Sequence, residues 1–282
     1  MADTSLSAFR QKYGQAAYNA MLKQIEAKPP TARALDQFGQ GLMLGPKNKL
    51  LTQTARVRGS SNVPLNSTGL AQADDLGRKF AARGGLDMIF SGPLDRARHT
   101  AIAIARHTNT PVQTTDTLLP WKLGIFEGQP VDNVKDMLAK LANDHPDESA
   151  PGRSLTSTEH GESFNSFKHR LIGKFLAPLM LAHAQDPRGK IGAISHLRDI
   201  LAAKSWIKNG TRQDMQFDHH DVDYEHSASE EKPASVFRIH ADDGNKWKFE
   251  NEDMDDSAPL LPGIYMIRHG DTNWNSKGET TS

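Results

Sequence analysis

The sequence contains no cysteine. Disulfide scaffolds, zinc–thiolate sites and thiol nucleophiles are therefore excluded at the outset. A cysteine-free chain also fits a reducing compartment, and a cytoplasmic location is the expectation. Neither sign of charge is in excess. Thirty-four Lys and Arg balance 34 Asp and Glu over 282 residues, which argues against a chain built as a whole to bind nucleic acid, although a local basic pocket fits inside a neutral total. No apolar run approaches the length of a membrane span, so no membrane association is expected. The opening MADTSLSAFRQKYGQ brings an acid early and no long apolar stretch, so no secretory signal is read there. What remains is 37% hydrophobic and 24% charged, a balance that supports a packed core.

The length allows one large domain or two small ones. Residues 5–27 carry Leu6, Phe9, Tyr13, Ala16, Ala17, Met21 and Ile25 at helical spacing, and Pro29 and Pro30 stop that helix. Residues 1–50 are read as an N-terminal helical extension without chemistry of its own. Residues 51–282 are read as the main domain. From Arg56 onward, helix and strand signals alternate, which predicts an α/β layer fold. Thr68 is placed as the cap of a helix through Ala73, Leu76 and Phe80, followed by a short strand over 86–90. A second helix carries Ala97, Thr100, Ala101 and Ile104, and a third starts near Glu162 with Phe164, Phe167, Leu171 and Phe175 inward. Further strands are expected at 190–195, 236–239 and 263–267. Residues 214–231 and 241–259 are acidic and turn-rich. The second stretch is read as a linker. His219, His220 and His226 with Asp221 and Asp223 match no metal-binding spacing, and no metal or other cofactor is expected.

The sharpest chemical signal is a short apolar strand running into Arg268-His269-Gly270-Asp271-Thr272-Asn273-Trp274-Asn275. Open α/β sheets present ligands at strand ends. A guanidinium beside an imidazole disfavours the imidazolium and keeps His269 nucleophilic, and guanidinium is the natural fork for phosphate oxygens.

Other segments complete a pattern: Arg56-x-Arg58-Gly59 with Pro64-Leu65-Asn66 and Gly69-x-x-Gln72; Ser91 with Leu94, Arg96 and Thr100; Gly124-Ile125-Phe126-Glu127-Gly128; Gly161-Glu162-Ser163 with Arg170; and Ser195-His196 after a strand. Together they resemble the histidine phosphatase superfamily, the phosphoglycerate-mutase-like family. The resemblance implies a three-layer α/β/α domain with a mostly parallel central sheet. In that family the RHG strand comes first, whereas here it follows every other motif. The resemblance therefore implies a circularly permuted domain with the RHG strand at 263–275 and a new connection over 240–262. Extended, those residues reach roughly 75 Å, against a domain diameter of about 45 Å. The same length permits a strand-swapped homodimer, and the self-contained form is preferred.

Carried over position by position, the resemblance makes His269 the nucleophile that becomes a phosphohistidine, with Arg268 and His196 as its catalytic partners. Arg56 and Arg96 would contact the phosphoryl group, with Arg58 as the alternative to Arg56, and Asn275 and Glu127 would line the substrate site. A cluster of like charges is strained, so Arg96 is expected to matter more to rate than to folding. One position departs from the pattern: Pro120 stands where many family members have a carboxylate that protonates the leaving oxygen. Glu127 and Asp271 are the nearest substitutes in sequence, although a turn-stabilising role is the stronger reading for Glu127. The implied activity is metal-independent hydrolysis of a phosphorylated small molecule. A phosphomutase and a non-catalytic phospho-ligand binder are the alternatives.

Overall fold

The computed structural model describes residues 56–150, 152, 160–213 and 232–273. The extension read over 1–50, the acidic stretch 214–231 with its histidines, Trp274 and Asn275 lie outside the described residues.

The first helix, α1 (Ser67–Ala82), is capped two residues earlier than the hydroxyl pattern suggests. The Asn66 side chain, not Thr68, accepts the Gly69 N–H at 2.8 Å. Its buried face is Gly69, Ala73, Leu76, Gly77 and Phe80. Strand β1 (Met88–Ser91) leads to α2 (Asp95–Thr108), which ends on Asn109 in the left-handed region at φ 53°. A three-residue strand, β2 (Val112–Thr114), precedes two single turns and α3 (Val131–Asn143).

A long helical segment then runs as α4 (Phe164–Lys168), a π-helical stretch (His169–Leu176) and α5 (Ala177–Gln185). The π stretch has a local cause. Pro178 has no N–H to offer the preceding turn, and the helix widens just before it, with Ala177 N–H bonding five residues back to Ile172. Strand β3 (Lys190–Ser195), α6 (Leu197–Lys208), β4 (Val236–Ala241), β5 (Trp247–Asn251) and β6 (Gly263–Arg268) complete the domain.

The six strands form one sheet in the order β2-β1-β3-β6-β4-β5. The four from β2 to β6 are mutually parallel, while β4 runs antiparallel to both β6 and β5. The sequence reading of an α/β layer fold with a mostly parallel sheet therefore holds. Alternation along the strands splits the core by face. Met88, Phe90, Ile264 and Met266 pack with α3, the π stretch and α6, whereas Ile89, Tyr265 and Ile267 pack with α1 and α2.

All six residues of β6 are buried. Its apolar side chains stabilise the central position by about 1.5–3 kcal/mol each. In this structure β6 pairs with β3 and β4 of its own chain.

The stretch 241–259 is not a plain linker. Trp247 and Phe249 alternate with charged residues to make β5, the edge of the sheet. The remainder is fastened by Arg83 at the end of α1. Its guanidinium donates to Ala258 O at 2.6 Å, Asp253 O at 2.9 Å and the Glu252 carboxylate at 2.7 Å. The Arg83 carbonyl accepts from Leu260 N at 3.0 Å. Among the described residues no helix is long and apolar enough to cross a membrane.

Candidate active site

Parallel strands bring their carboxyl ends to one edge of the sheet. There β6 delivers Arg268 and His269, β3 delivers Ser195 and His196, and β1 leads through Ser91 and Gly92 to Arg96 on α2. The turn after β6 lies directly on the start of α1. A Cβ on Gly270 would sit 2.4 Å from the Gly69 carbonyl oxygen, and one on Gly69 would sit 2.1 Å from that of Asp271. Only glycine permits this approach. Polar contacts lock it: Gly270 N donates to Thr100 Oγ1 at 3.2 Å, Asp271 N to Gln72 Oε1 at 2.9 Å and Asn66 N to Asp271 O at 3.1 Å.

The two imidazoles lie with ring centroids 5.1 Å apart, and both are buried. Their hydrogen bonds assign opposite tautomers. His269 Nδ1 is 2.6 Å from the Gly270 carbonyl. A carbonyl only accepts, so Nδ1 carries the proton and Nε2 holds a lone pair. His196 Nδ1 lies 3.3 Å from Arg96 Nε, which only donates. Nδ1 of His196 is therefore the acceptor and Nε2 carries the proton. That Nε2 has no partner among the described residues. Burial first, then neighbouring positive charge, holds both rings well below the usual histidine range. Arg96, Arg58, Arg170 and Arg268 act on His196; the His196 ring, Arg96, Arg58 and Arg268 act on His269. The site thus pairs a neutral imidazole that offers a lone pair with a neutral imidazole that offers a proton, among guanidiniums.

Arg96 is also part of the scaffold. Its guanidinium donates to Ser61 O at 2.7 Å and Gly59 O at 3.0 Å, besides reaching His196. Burial, then the charge of Arg58, lowers its pKa to about 9. Beside the role in rate expected of it, Arg96 thus also fastens the 59–61 loop. The structure places the two loop arginines differently. Arg56 is held away, with Nη1 on the Gly128 carbonyl at 2.6 Å, whereas Arg58 reaches the Thr272 hydroxyl at 3.3 Å and its charge falls on both imidazoles.

Glu127 is likewise not presented to a substrate. It is fully buried and accepts from Ser60 N, Ser60 Oγ and Ser61 Oγ, each at 2.8 Å, and from Leu123 N at 3.1 Å. It ties the 59–61 loop to the 123–128 turn. Gly59, at φ +46°, would place a Cβ 2.3 Å from Glu127 Oε1.

Glu162 and Arg170 pair with each other, and Arg170 also collects the carbonyls of Thr117, Leu119 and Pro120. Asp271 accepts from Asn66 Nδ2 at 3.1 Å. Trp121 is fully buried with its Nε1 on the Glu162 carbonyl, a core residue against which Arg198 stacks. The sequence reading passed over Asp199, which is fully buried three residues after His196. Its signal was an acid at the third position of the helix that His196 begins, one half of a capping box.

A sequence profile of the histidine phosphatase superfamily (branch 1) matches residues 49–224, well over half the chain. The match ends before β6. An uncharacterized phosphatase, PhoE, of Bacillus subtilis (strain 168) is 26% identical over 155 residues, covering 55% of this chain and 70% of that protein. A bifunctional protein of Mycobacterium tuberculosis is 35% identical over 78 residues, 28% of this chain and 21% of its own length. Among solved structures, a phosphoglycerate mutase from Bacillus anthracis superposes with a TM-score of 0.49 at 19% identity over 80% of this chain and 89% of that one. A mycobacterial glucosyl-3-phosphoglycerate phosphatase gives 0.48 at 16% over 74% and 95%. On the extent of the profile match, this chain belongs to the histidine phosphatase superfamily (branch 1).

Proposed function

We propose that the chain is a phosphomonoester hydrolase that works through a covalent phosphohistidine on His269, with a phosphorylated small molecule of the cytoplasm as substrate. The observation that carries this reading is the opposed tautomers: a lone pair on His269 Nε2 and a proton on His196 Nε2. In the first step the His269 lone pair forms a bond to phosphorus while the bond to the leaving oxygen breaks, and that oxygen takes its proton from solvent. Arg58, Arg96 and Arg268 balance the charge on the transferring oxygens, and His196 Nε2–H donates to one of them. Water then attacks phosphorus, loses its proton to bulk, and the P–N electron pair returns to Nε2.

A mutase must protonate and deprotonate a hydroxyl in turn. Among the described residues the carboxylates near the site are engaged in the scaffold, which favours hydrolysis. A phosphate-binding module would need the cations but no nucleophilic lone pair.

Two features support the permuted reading of residues 51–282. The RHG strand follows the other motifs yet occupies the sheet centre, and the family profile stops short of it. Incubation with labelled p-nitrophenyl phosphate analogues tests the function. Acid-labile, base-stable label on the wild-type chain, lost together with turnover in His269→Ala, is expected. Turnover that survives His269→Ala removes the mechanism. Vanadate binding without turnover would favour the binding module. Mixing His269→Ala with His196→Ala should restore nothing if each chain completes its own site.

A further inference from the structure

Asp199 takes no part in these steps, yet its side chain has no exposed surface. It stands at the third position of α6, the helix capped by His196. One oxygen accepts the Ser195 hydroxyl, and the backbone N–H of His196 also bonds the carboxylate. The other oxygen, Oδ1, is buried with no partner among the described residues. Ser195 carries a second link. Its carbonyl accepts the His269 N–H at 3.2 Å, and it pairs in register with Arg268. One carboxylate therefore holds the turn between β3 and α6 from which His196 projects, and through Ser195 that turn is bonded to His269 at the end of the neighbouring β6.

A helix start does not require this arrangement. Solvent-exposed caps do that work at little cost, whereas a buried and half-satisfied carboxylate is expensive. The groups facing Asp199 come from several elements: Ser195 and His196 on its own turn, Arg170 on the π stretch, Glu162 before α4, and Arg96 on α2. Burial raises its pKa to about 7, against the pull of Ser195, Arg170 and the His196 N–H and with a small push from Glu162.

We propose that Asp199 is a positioning residue for the phosphoryl-transfer site, fixing His196 through the Ser195 hydroxyl and the His196 N–H. The proposal rests on the reading of His196 as the phosphoryl-group donor. The ionised carboxylate holds both donors strongly. The protonated form holds them weakly, the turn relaxes, and kcat falls as pH drops through neutrality. His196 itself stays neutral over this range, because its own pKa lies well below the usual value, so it does not generate this limb.

The test is nitrogen-15 histidine NMR on the full chain, with kinetics on the same samples. Ring signals of His196, assigned with His196→Gln, should shift with a midpoint near neutrality in the wild type and stay flat in Asp199→Asn. At alkaline pH, kcat of Asp199→Asn should fall about tenfold to a hundredfold, the scale of a misplaced catalytic group. Vanadate affinity should hardly move, and the neutral limb should vanish from the pH profile. Ser195→Ala should lose rate in the same way, and Ser195→Thr, which keeps the hydroxyl, should recover it. A lower melting temperature with wild-type kcat and an unchanged pH limb would overturn the proposal. So would a flat His196 titration in the wild type. If Asp199→Asn does not fold, the Ser195→Ala and Ser195→Thr pair decides the same question without touching the charge. Absence of phosphohistidine in the wild type would instead overturn the hydrolase reading, and the NMR titration reads the Asp199–His196 link independently of it.

Discussion

Arg96 Nε donates to His196 Nδ1 at 3.3 Å, and that single bond fixes which nitrogen of His196 carries its proton. The same guanidinium holds the carbonyls of Gly59 and Ser61. Arg96→Lys should therefore fail twice. It loses the fork geometry, lowering kcat about a hundredfold or more. It also frees the 59–61 loop, lowering stability by about 2–4 kcal/mol. Steady-state kinetics together with urea unfolding check both. Wild-type stability with lost activity would return Arg96 to a purely catalytic role.

Glu127 acts at a distance from the reaction through the loop that carries Arg58. Glu127→Gln replaces one acceptor with a donor opposite donors, and about 1–3 kcal/mol of stability should be lost for the group left unsatisfied. Gly59→Ala, forced into the Glu127 carboxylate, should cost at least as much. In both variants the affinity for vanadate should fall, because Arg58 is displaced; isothermal titration reads this directly.

Leaving-group dependence follows from how the carboxylates are used. Glu162 is held by Arg170 and Asp271 by Asn66. With no positioned acid, kcat/KM across aryl and alkyl phosphates should fall steeply as the leaving-group pKa rises. A flat series would show that an acid is delivered to the leaving oxygen after all.

Stability should respond to pH in opposing ways. His196 and His269 titrate below their usual 6.5 when folded. The unfolded chain therefore binds more protons below that value, and stability falls as pH drops beneath about 6.5. Asp199, raised from 3.8 to about 7, works in the other direction: between those values the folded chain holds the extra proton, and stability falls as pH rises. Each group contributes a slope of up to about 1.4 kcal/mol per pH unit. Asp199→Asn should remove the second slope and leave stability rising more steeply from pH 5 to 6.5, measured by urea midpoints.

Rearranging the gene tests the permutation. A chain in which residues 263–275 precede residue 51, ending after β5, should fold and turn over p-nitrophenyl phosphate. It should be less stable than the parent, because Arg83 loses its partners at Asp253 and Ala258. An inactive but folded product would show that the present order is required by the site.

Much of the architecture was legible because its signals are local. The run Gly263–Ile267 and the alternation that splits its faces identify a buried strand, and Gly270 before Asp271 marks a tight turn. Other elements carry weaker signals. Strand β2 is only Val112–Thr114, too short for a pattern. The spacing of Val134, Leu138, Leu141 and Ala142 in α3 is helical but was masked by the polar residues between them. The charges around Trp247 and Phe249 hid β5. At the site, the histidines and Arg96 were found by pattern. The choice between Arg56 and Arg58 depended on which way a loop turns, and the anchoring of Glu127 on three donors from the distant Ser60 and Ser61, neither of which sequence spacing encodes.

The slot filled by β6 has a temporal meaning. Every strand it joins is translated before it, so a nascent chain long enough to contain β3 and β4 still has a gap between them and two open hydrogen-bonding edges. On the proposed mechanism, the site lacks its nucleophile until Arg268 and His269 clear the ribosome, and a partly made molecule would be inert toward phosphate esters. Insertion of one short strand would then close the sheet and, on that mechanism, complete the site in the same event.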